Sequence, residues 1–225
     1  MRLIFVRHGD PNYAENCLTP IGHLQAQAVA KRLINEGIDR ICASPIKRAW
    51  DTALYIAEPL GLEVEQCDFM REIEWGIEKL WRSGHPWDTA DDMVAKGMEI
   101  MDADWASHEP FCNNLVIDSM QKVQQGFDAW LATCGYVREG SFYRVHKGSK
   151  ETVAMVSHAG SSSAVLAHLF NLPFPFVCAA IKPGFTSVTI VSFGEEDGAL
   201  VTPTFEIVID KRHIEGLETE VVFGN

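Results

Sequence analysis

Leu3-Ile4-Phe5-Val6-Arg7-His8-Gly9 is an apolar run that ends in a cation, an imidazole and a glycine. A short unbroken apolar run suits a strand buried on both faces, as in a parallel sheet. Gly9 lets the backbone turn sharply and come close to a bound group. The outline recurs far along the chain, where Thr152-Val153-Ala154-Met155-Val156 exits into Ser157-His158-Ala159-Gly160. Two histidines at the carboxyl ends of two buried strands point to one site built from both.

Outward from these runs, apolar and amphipathic stretches alternate, which indicates α/β architecture. Thr19-Pro20 opens a helix, with Thr19 as its cap and Pro20 in its first turn. Ile21, Leu24, Ala28, Leu33 and Ile34 follow helical spacing, and Gly37 stops the helix. Residues 38–43 read as the second strand. Ser44-Pro45 repeats the cap-and-proline start, before a helix with Ile46, Ala49, Ala53, Ile56, Ala57 and Leu60 on one face and Gly61 as its stop. Residues 62–67 form a short third strand, 153–156 a buried strand and 160–169 the helix after it. Late strands at 187–193 and 204–209 are joined by the loop Gly194-Glu195-Glu196-Asp197-Gly198. Crossovers through helices imply mostly parallel pairing.

The stretch 81–150 interrupts the alternation. It holds Trp81, Trp87, Trp105 and Trp130, many acidic residues, and helical periodicity around 93–101 and 116–131. It reads as a helical insertion in a single domain spanning 1–225, with 143–150 as a loop. The expected fold is a three-layer α/β/α sandwich with a mostly parallel central sheet.

Composition narrows the function. At 225 residues, 47% of them hydrophobic, the chain suits one globular domain with a real core. The first apolar run is too short for a signal peptide, and no stretch is long and apolar enough to span a bilayer. The six cysteines are scattered with no C-x-x-C pair, which predicts reduced thiols in a cytoplasmic protein. A net charge of −12 argues against nucleic acid or an acidic membrane as partner. A small anionic substrate stays open, because a pocket's local field can oppose the global charge.

In open α/β sheets, ligands bind outside the carboxyl ends of the strands. Arg7, His8, Arg48, Glu72 and His158 all fall there. Two arginines can grip phosphate oxygens in bidentate fashion. One histidine can be a covalent nucleophile, and a second, if protonated, can add charge for the transition state. A carboxylic acid can protonate a leaving oxygen. The set makes a site for phosphoryl transfer, with no metal and no cofactor expected.

The motifs then resemble one family. The chain is similar to the histidine phosphatase superfamily, which includes phosphoglycerate mutases. R-H-G is matched by Arg7-His8-Gly9, and L-T-x-x-G-x-x-Q-A by Leu18-Thr19-Pro20-Ile21-Gly22-His23-Leu24-Gln25-Ala26. S-P-x-x-R-A-x-x-T-A is matched by Ser44-Pro45-Ile46-Lys47-Arg48-Ala49-Trp50-Asp51-Thr52-Ala53. L-x-E-x-x-x-G appears as Met70-Arg71-Glu72-Ile73-Glu74-Trp75-Gly76, and S-H-x-G as Ser157-His158-Ala159-Gly160. The resemblance implies that His8 becomes phosphohistidine. It implies that Arg7, Arg48 and His158 hold the phosphoryl oxygens, with Ala159 beside them. It implies that Glu72 first protonates the leaving alcohol and then activates water.

Two departures matter. Many members carry an Asn six residues after the histidine that touches the phosphate; here that position is Ala14, and Asn12 or Asn16 could substitute. Mutases carry a basic-aromatic R-H-Y-G pattern after the acid, whereas this chain reads Ile73-Glu74-Trp75-Gly76, closer to the phosphatase branch. The expected activity is metal-independent hydrolysis of a small phosphomonoester. The alternatives are a phosphomutase and a non-catalytic phospholigand-binding protein. Glu74 stands as understudy to Glu72, since an extended backbone would point both to one side. The other histidines (His23, His85, His108, His146, His168 and His213) show no metal-ligand spacing. Ser161, Ser162 and Ser163 read as helix N-terminal residues, with no G-x-S-x-G elbow around them. Trp75, Trp81 or Trp105 could favour a substrate with an apolar or ring-bearing part. The late strands offer an edge at which two copies could pair as a homodimer.

Overall fold

The computed structural model describes residues 1–77 and 84–219. Strand β1 (Arg2–Arg7) leads into a two-residue ribbon, β2 (Pro11–Asn12) and β3 (Cys17–Leu18). Then come α1 (Pro20–Leu33), β4 (Arg40–Ala43), α2 (Lys47–Leu60) and β5 (Val64–Gln66). The middle of the chain holds α3 (Pro86–Ala95), α4 (Val116–Thr133), β6 (Tyr136–Glu139) and β7 (Phe142–Val145). The chain continues through β8 (Thr152–Ser157), α5 (Ala159–Phe170) and α6 (Phe174–Ala180). It closes with β9 (Val188–Ser192), β10 (Leu200–Val201) and β11 (Thr204–Asp210).

The central sheet runs β11-β9-β1-β8-β4-β5. β1, β8, β4 and β5 pair in parallel, while β9 is antiparallel to both β1 and β11. Alternation along the strands sends Leu3, Phe5, Val153 and Met155 to one face and Ile4, Val6, Ala154 and Val156 to the other. The first face meets Phe127 and Leu131 of α4 with Val165 and Leu169 of α5; the second meets Val29 and Leu33 of α1 with Ala53 and Ile56 of α2. This is the expected three-layer α/β/α sandwich with a mostly parallel sheet. No helix among the described residues is long and apolar enough to cross a membrane.

Three local expectations need correction. The stretch 81–150, expected to be mostly helical with a loop at its end, carries the helices α3 and α4 and also β-structure. Its first residues, Trp81 among them, lie outside the described residues. Its later part forms the hairpin β6–β7, which takes β10 as a third strand, so the expected loop at 143–150 begins as strand. Tyr143 and Val145 alternate inward there with no exposure, and this period of two replaces the loop.

The inward face of α1 is Gly22, Gln25, Ala26, Val29, Ala30 and Leu33, not the Ile21–Leu24–Ile34 stripe. Leu24 and Ile34 are exposed, because α1 packs around the loop after His8. A Cβ on Gly9 would lie 2.5 Å from the Gly22 carbonyl oxygen, so two small residues must face each other there. Thr19 does cap this helix, accepting from the Gly22 N–H at 3.0 Å.

Ser44, by contrast, does not cap α2. The helix begins after Ile46 with no side-chain cap, and the Ser44 hydroxyl is spent elsewhere. Of the two expected late strands, β9 is interior and β11 lies at an edge of the central sheet. It is irregular there, with register shifts between Phe205 and Ile207 and between Ile207 and Asp210.

Candidate active site

The centre lies where β1, β4 and β8 end side by side. Arg7 pairs with Ser157 in the β1–β8 ladder, and the His8 N–H donates to the Ser157 carbonyl at 2.9 Å. The two histidines that follow the strands therefore meet, with ring centroids 5.1 Å apart at 61°. The glycine turn after His8 is pinned from both neighbouring helices. The Gly9 N–H donates to Thr52 Oγ1 at 3.1 Å, and the Asp10 N–H donates to Gln25 Oε1 at 2.8 Å.

His8 has an assigned proton. Its Nδ1 lies 2.7 Å from the Gly9 carbonyl oxygen, which can only accept, so Nδ1 carries the hydrogen. Nε2 is then the lone-pair nitrogen, and Arg48 Nε donates to it at 3.1 Å. Burial first, then the charges of Arg7 and Arg48 around the imidazole pair, hold the His8 pKa well below its usual value. The ring is a neutral base at neutral pH.

Both arginines are turned inward. Arg7 Nη1 donates to the Pro183 carbonyl at 2.7 Å, and its guanidinium lies 4.1 Å from the Phe185 ring centroid. Burial brings its pKa down to about 10. Arg48 Nη1 donates to Asn16 Oδ1 at 3.0 Å. Burial also lowers the Arg48 pKa. A protein of net charge −12 thus concentrates two cations at one point, the local field an anion requires.

Glu72 faces these arginines. Its Oε1 accepts from the Ser161 N–H at 3.1 Å and from the Ile73 N–H at 3.0 Å. Desolvation raises its pKa, against the opposing pull of those amides, Arg7 and Arg48. With Oε1 occupied by two donors, a proton on this carboxyl belongs on Oε2. Glu74 is exposed, with its amide held by Ser119 Oγ, and does not share the site. The choice between the two acids is made by depth. A Cβ on Gly160 would overlap Glu72 Oε1, so this glycine clears the carboxyl's position.

His158 occupies the N-cap position of α5 with no side-chain hydrogen bond to the helix; its Nε2 lies 2.8 Å from Ser44 Oγ and its Nδ1 is buried with no partner. Ala159 opens the helix. The first turn adds backbone donors and a positive helix end. Of the two candidate asparagines, Asn16 reaches Arg48. Asn12 turns away: its Oδ1 accepts from the Ala14 and Glu15 amides and closes the loop. Among the described residues no group of three metal-ligating side chains converges.

Some participants are absent from the sequence reading. The Tyr13 ring lies 5.4 Å from the Arg48 guanidinium carbon. The segment 183–187 forms a wall. Phe185 sits 5.8 Å from the His8 ring, and the Thr186 N–H donates to the His8 carbonyl at 3.3 Å. Thr186 holds φ at 51°, a left-handed conformation unusual for a β-branched residue. No periodicity marks Pro183-Gly184-Phe185-Thr186, though a Pro-Gly turn before a late strand was a usable sign.

Trp75 and Trp105 each pack against other aromatic rings. Trp105 packs on Phe111 and Phe174, and lines a cavity of about 260 Å³ with His168 and Leu172, beyond the far end of α5 from the site. Trp75 stands edge-on to His85 at 5.1 Å.

Known proteins share this frame. A "putative phosphoserine phosphatase 2" of Hydrogenobacter thermophilus is 34% identical over 84 residues, covering 33% of this chain and 41% of that protein. A "probable phosphoglycerate mutase" of Serratia proteamaculans is 29% identical over 118 residues, covering 43% of this chain and 55% of its own. The chain thus spans about half, or less, of the curated relatives it matches. Among solved structures, a mycobacterial glucosyl-3-phosphoglycerate phosphatase superposes with a TM-score of 0.64 at 23% identity, over 93% of this chain and 99% of that one. A phosphoserine phosphatase of Entamoeba histolytica gives 0.63 at 22%, over 95% and 98%. These structural likenesses speak for the fold. The profile of the histidine phosphatase superfamily (branch 1) matches residues 3–205. Because that match runs from β1 to the start of β11 and does not stop at the first motif, this chain belongs to the histidine phosphatase superfamily.

Proposed function

We propose that the protein hydrolyses a small phosphomonoester in two steps through phosphorylated His8. The observation that carries this reading is the His8 Nδ1 contact with the Gly9 carbonyl at 2.7 Å, which leaves Nε2 as an unprotonated nucleophile. In the first step Nε2 attacks phosphorus in line. The bond from phosphorus to the ester oxygen breaks, and the Glu72 proton passes to that oxygen, releasing the alcohol. In the second step water attacks phosphorus, its proton returns to Glu72, and the nitrogen–phosphorus bond breaks to release orthophosphate. Arg7 and Arg48 supply the charge that holds the phosphoryl oxygens, and Arg48 exchanges its contact with His8 for one of them.

A phosphatase and a mutase share the first step and differ in what accepts the phosphoryl group. The departure of Ile73-Glu74-Trp75-Gly76 from the basic-aromatic pattern of the mutases favours water as acceptor over a second anionic alcohol. The phosphatase names among the relatives and structural neighbours support the same choice, and point to a small phosphorylated metabolite.

The test is a panel of phosphoserine, sugar phosphates, phosphoglycerates and nucleotides, assayed in EDTA with His8→Ala as control. Orthophosphate release that survives EDTA and vanishes in His8→Ala is the expected result. Release that persists in His8→Ala, or stops in EDTA, overturns the mechanism. Transfer that depends on a bisphosphate primer would favour the mutase.

A further inference from the structure

Ser44 is fully buried at the end of β4, and its hydroxyl oxygen has two polar neighbours. The Ile46 N–H points at it from 3.3 Å, and His158 Nε2 lies 2.8 Å away. An amide N–H only donates, so that contact uses an oxygen lone pair. The hydroxyl proton then has one acceptor in reach, His158 Nε2. In this arrangement His158 carries its own proton on Nδ1. The reverse arrangement has Nε2–H donating to Ser44. It would strand two buried groups, the serine proton and a bare Nδ1, which has no partner in either case. The first arrangement leaves one unmet group and the second two, and each costs about 1–3 kcal/mol in a buried site.

We propose that Ser44 is a positioning residue that fixes His158 as the neutral Nδ1–H tautomer, so that the second histidine meets the phosphoryl group as an uncharged donor and not as an imidazolium. What the donor meets rests on the phosphoryl-transfer reading above; the tautomer does not. The two histidines are then one tautomer put to opposite uses. A carbonyl on Nδ1 of His8 turns its lone pair outward, and a hydroxyl on Nε2 of His158 turns its proton outward. With His158 uncharged and Glu72 protonated, Arg7 and Arg48 supply two positive charges, which match a phosphomonoester dianion. A third cation beside them would be both buried and repelled: burial first, then the charges of Arg48 and Arg7, hold the His158 pKa well below its usual value. Of the two cases open from the sequence, the second histidine is then the neutral one.

The experiment is ring ¹⁵N–¹H correlation spectroscopy on histidine-labelled, phosphate-free protein near neutral pH. The His158 signals are assigned by their loss in His158→Gln. The expected wild-type spectrum shows protonated Nδ1 and lone-pair Nε2, with the Nδ1 signal moving when orthophosphate is added. In Ser44→Ala the tautomers should mix, and kcat/KM should fall about tenfold, the equivalent of ~1.4 kcal/mol. Ser44→Thr keeps the hydroxyl and should restore the wild-type tautomer. A wild-type His158 protonated on Nε2, or on both nitrogens, overturns the proposal. So does a folded Ser44→Ala whose tautomer is unchanged, whatever its rate. If no phosphoester is turned over while the spectrum is as expected, the functional reading fails and the tautomer assignment stands.

Discussion

Gly160→Ala is a one-carbon test of whether Glu72 is the proton donor. A Cβ at this position would overlap both Ile73 Cγ1 and Glu72 Oε1, so the buried Ile73 side chain and the carboxyl must both move. Gly160 lies in the first turn of α5, where alanine by itself favours the helix by about 0.5–1 kcal/mol. Against this stands the loss of the two amide contacts that Glu72 Oε1 accepts, worth together about 1–3 kcal/mol. These two contributions net to a loss of about 0–2.5 kcal/mol, and displacing Ile73 adds about 1–3 kcal/mol. The catalytic loss should be about 10²–10⁴-fold, the contribution of a positioned general acid. That loss depends on the leaving group. An alkyl phosphate needs its leaving oxygen protonated, whereas p-nitrophenyl phosphate expels a stable anion. The assay is steady-state kcat/KM on both esters, with thermal unfolding as the check on folding. The alkyl ester should lose about 10²-fold or more and the nitrophenyl ester less than about tenfold. Equal losses on both esters, or none on either, would refute the assignment of Glu72.

Other outcomes follow from the same geometry. Asn16→Ala should weaken inhibition by vanadate several-fold, because it removes the partner that orients Arg48. Asn12→Ala should leave that inhibition unchanged and cost about 1 kcal/mol in chemical denaturation, as it only opens a turn. The two buried histidines set an acid limit on stability. Both have lowered folded-state pKa values, so their contribution is complete above the unfolded value near 6.5 and is lost as pH falls toward the folded values. Two such groups give a slope of up to about 2.7 kcal/mol per pH unit below that point, and His8→Ala should halve it in denaturant titrations. Trp105→Ala should lower the melting temperature and leave the ranking of phosphoester substrates unchanged, because the ring packs on Phe111 and Phe174. A changed ranking would revive the idea that this tryptophan shapes substrate choice.

The strands were legible because their cause is local. Residues 3–6 and 153–156 are apolar without interruption, and burial on both faces is the way such runs avoid water. The cluster of the candidate site was legible because its side chains sit at the ends of those strands in recognisable motifs. Where causes were not local, the reading failed. The inward face of α1 carries Gly22 and Gln25 because it wraps the loop after His8, so its apolar residues did not mark its buried side. Ser44 looked like a helix cap, and nothing near it in sequence announces a histidine more than one hundred residues away; its contact is with His158 at 2.8 Å.

The amino-acid order by itself determined the α/β alternation, the two histidines at strand ends, the two arginines and the acid motif. Each depends on hydrophobic periodicity or on residue type at short spacing. Tertiary structure alone decided the rest. It put Glu72 inside and Glu74 outside, chose Asn16 over Asn12, brought Phe185 and Tyr13 to the arginines, and set which nitrogen of each histidine holds its proton. Those outcomes turn on hydrogen-bond partners and depth of burial, which exist only once distant segments have packed together.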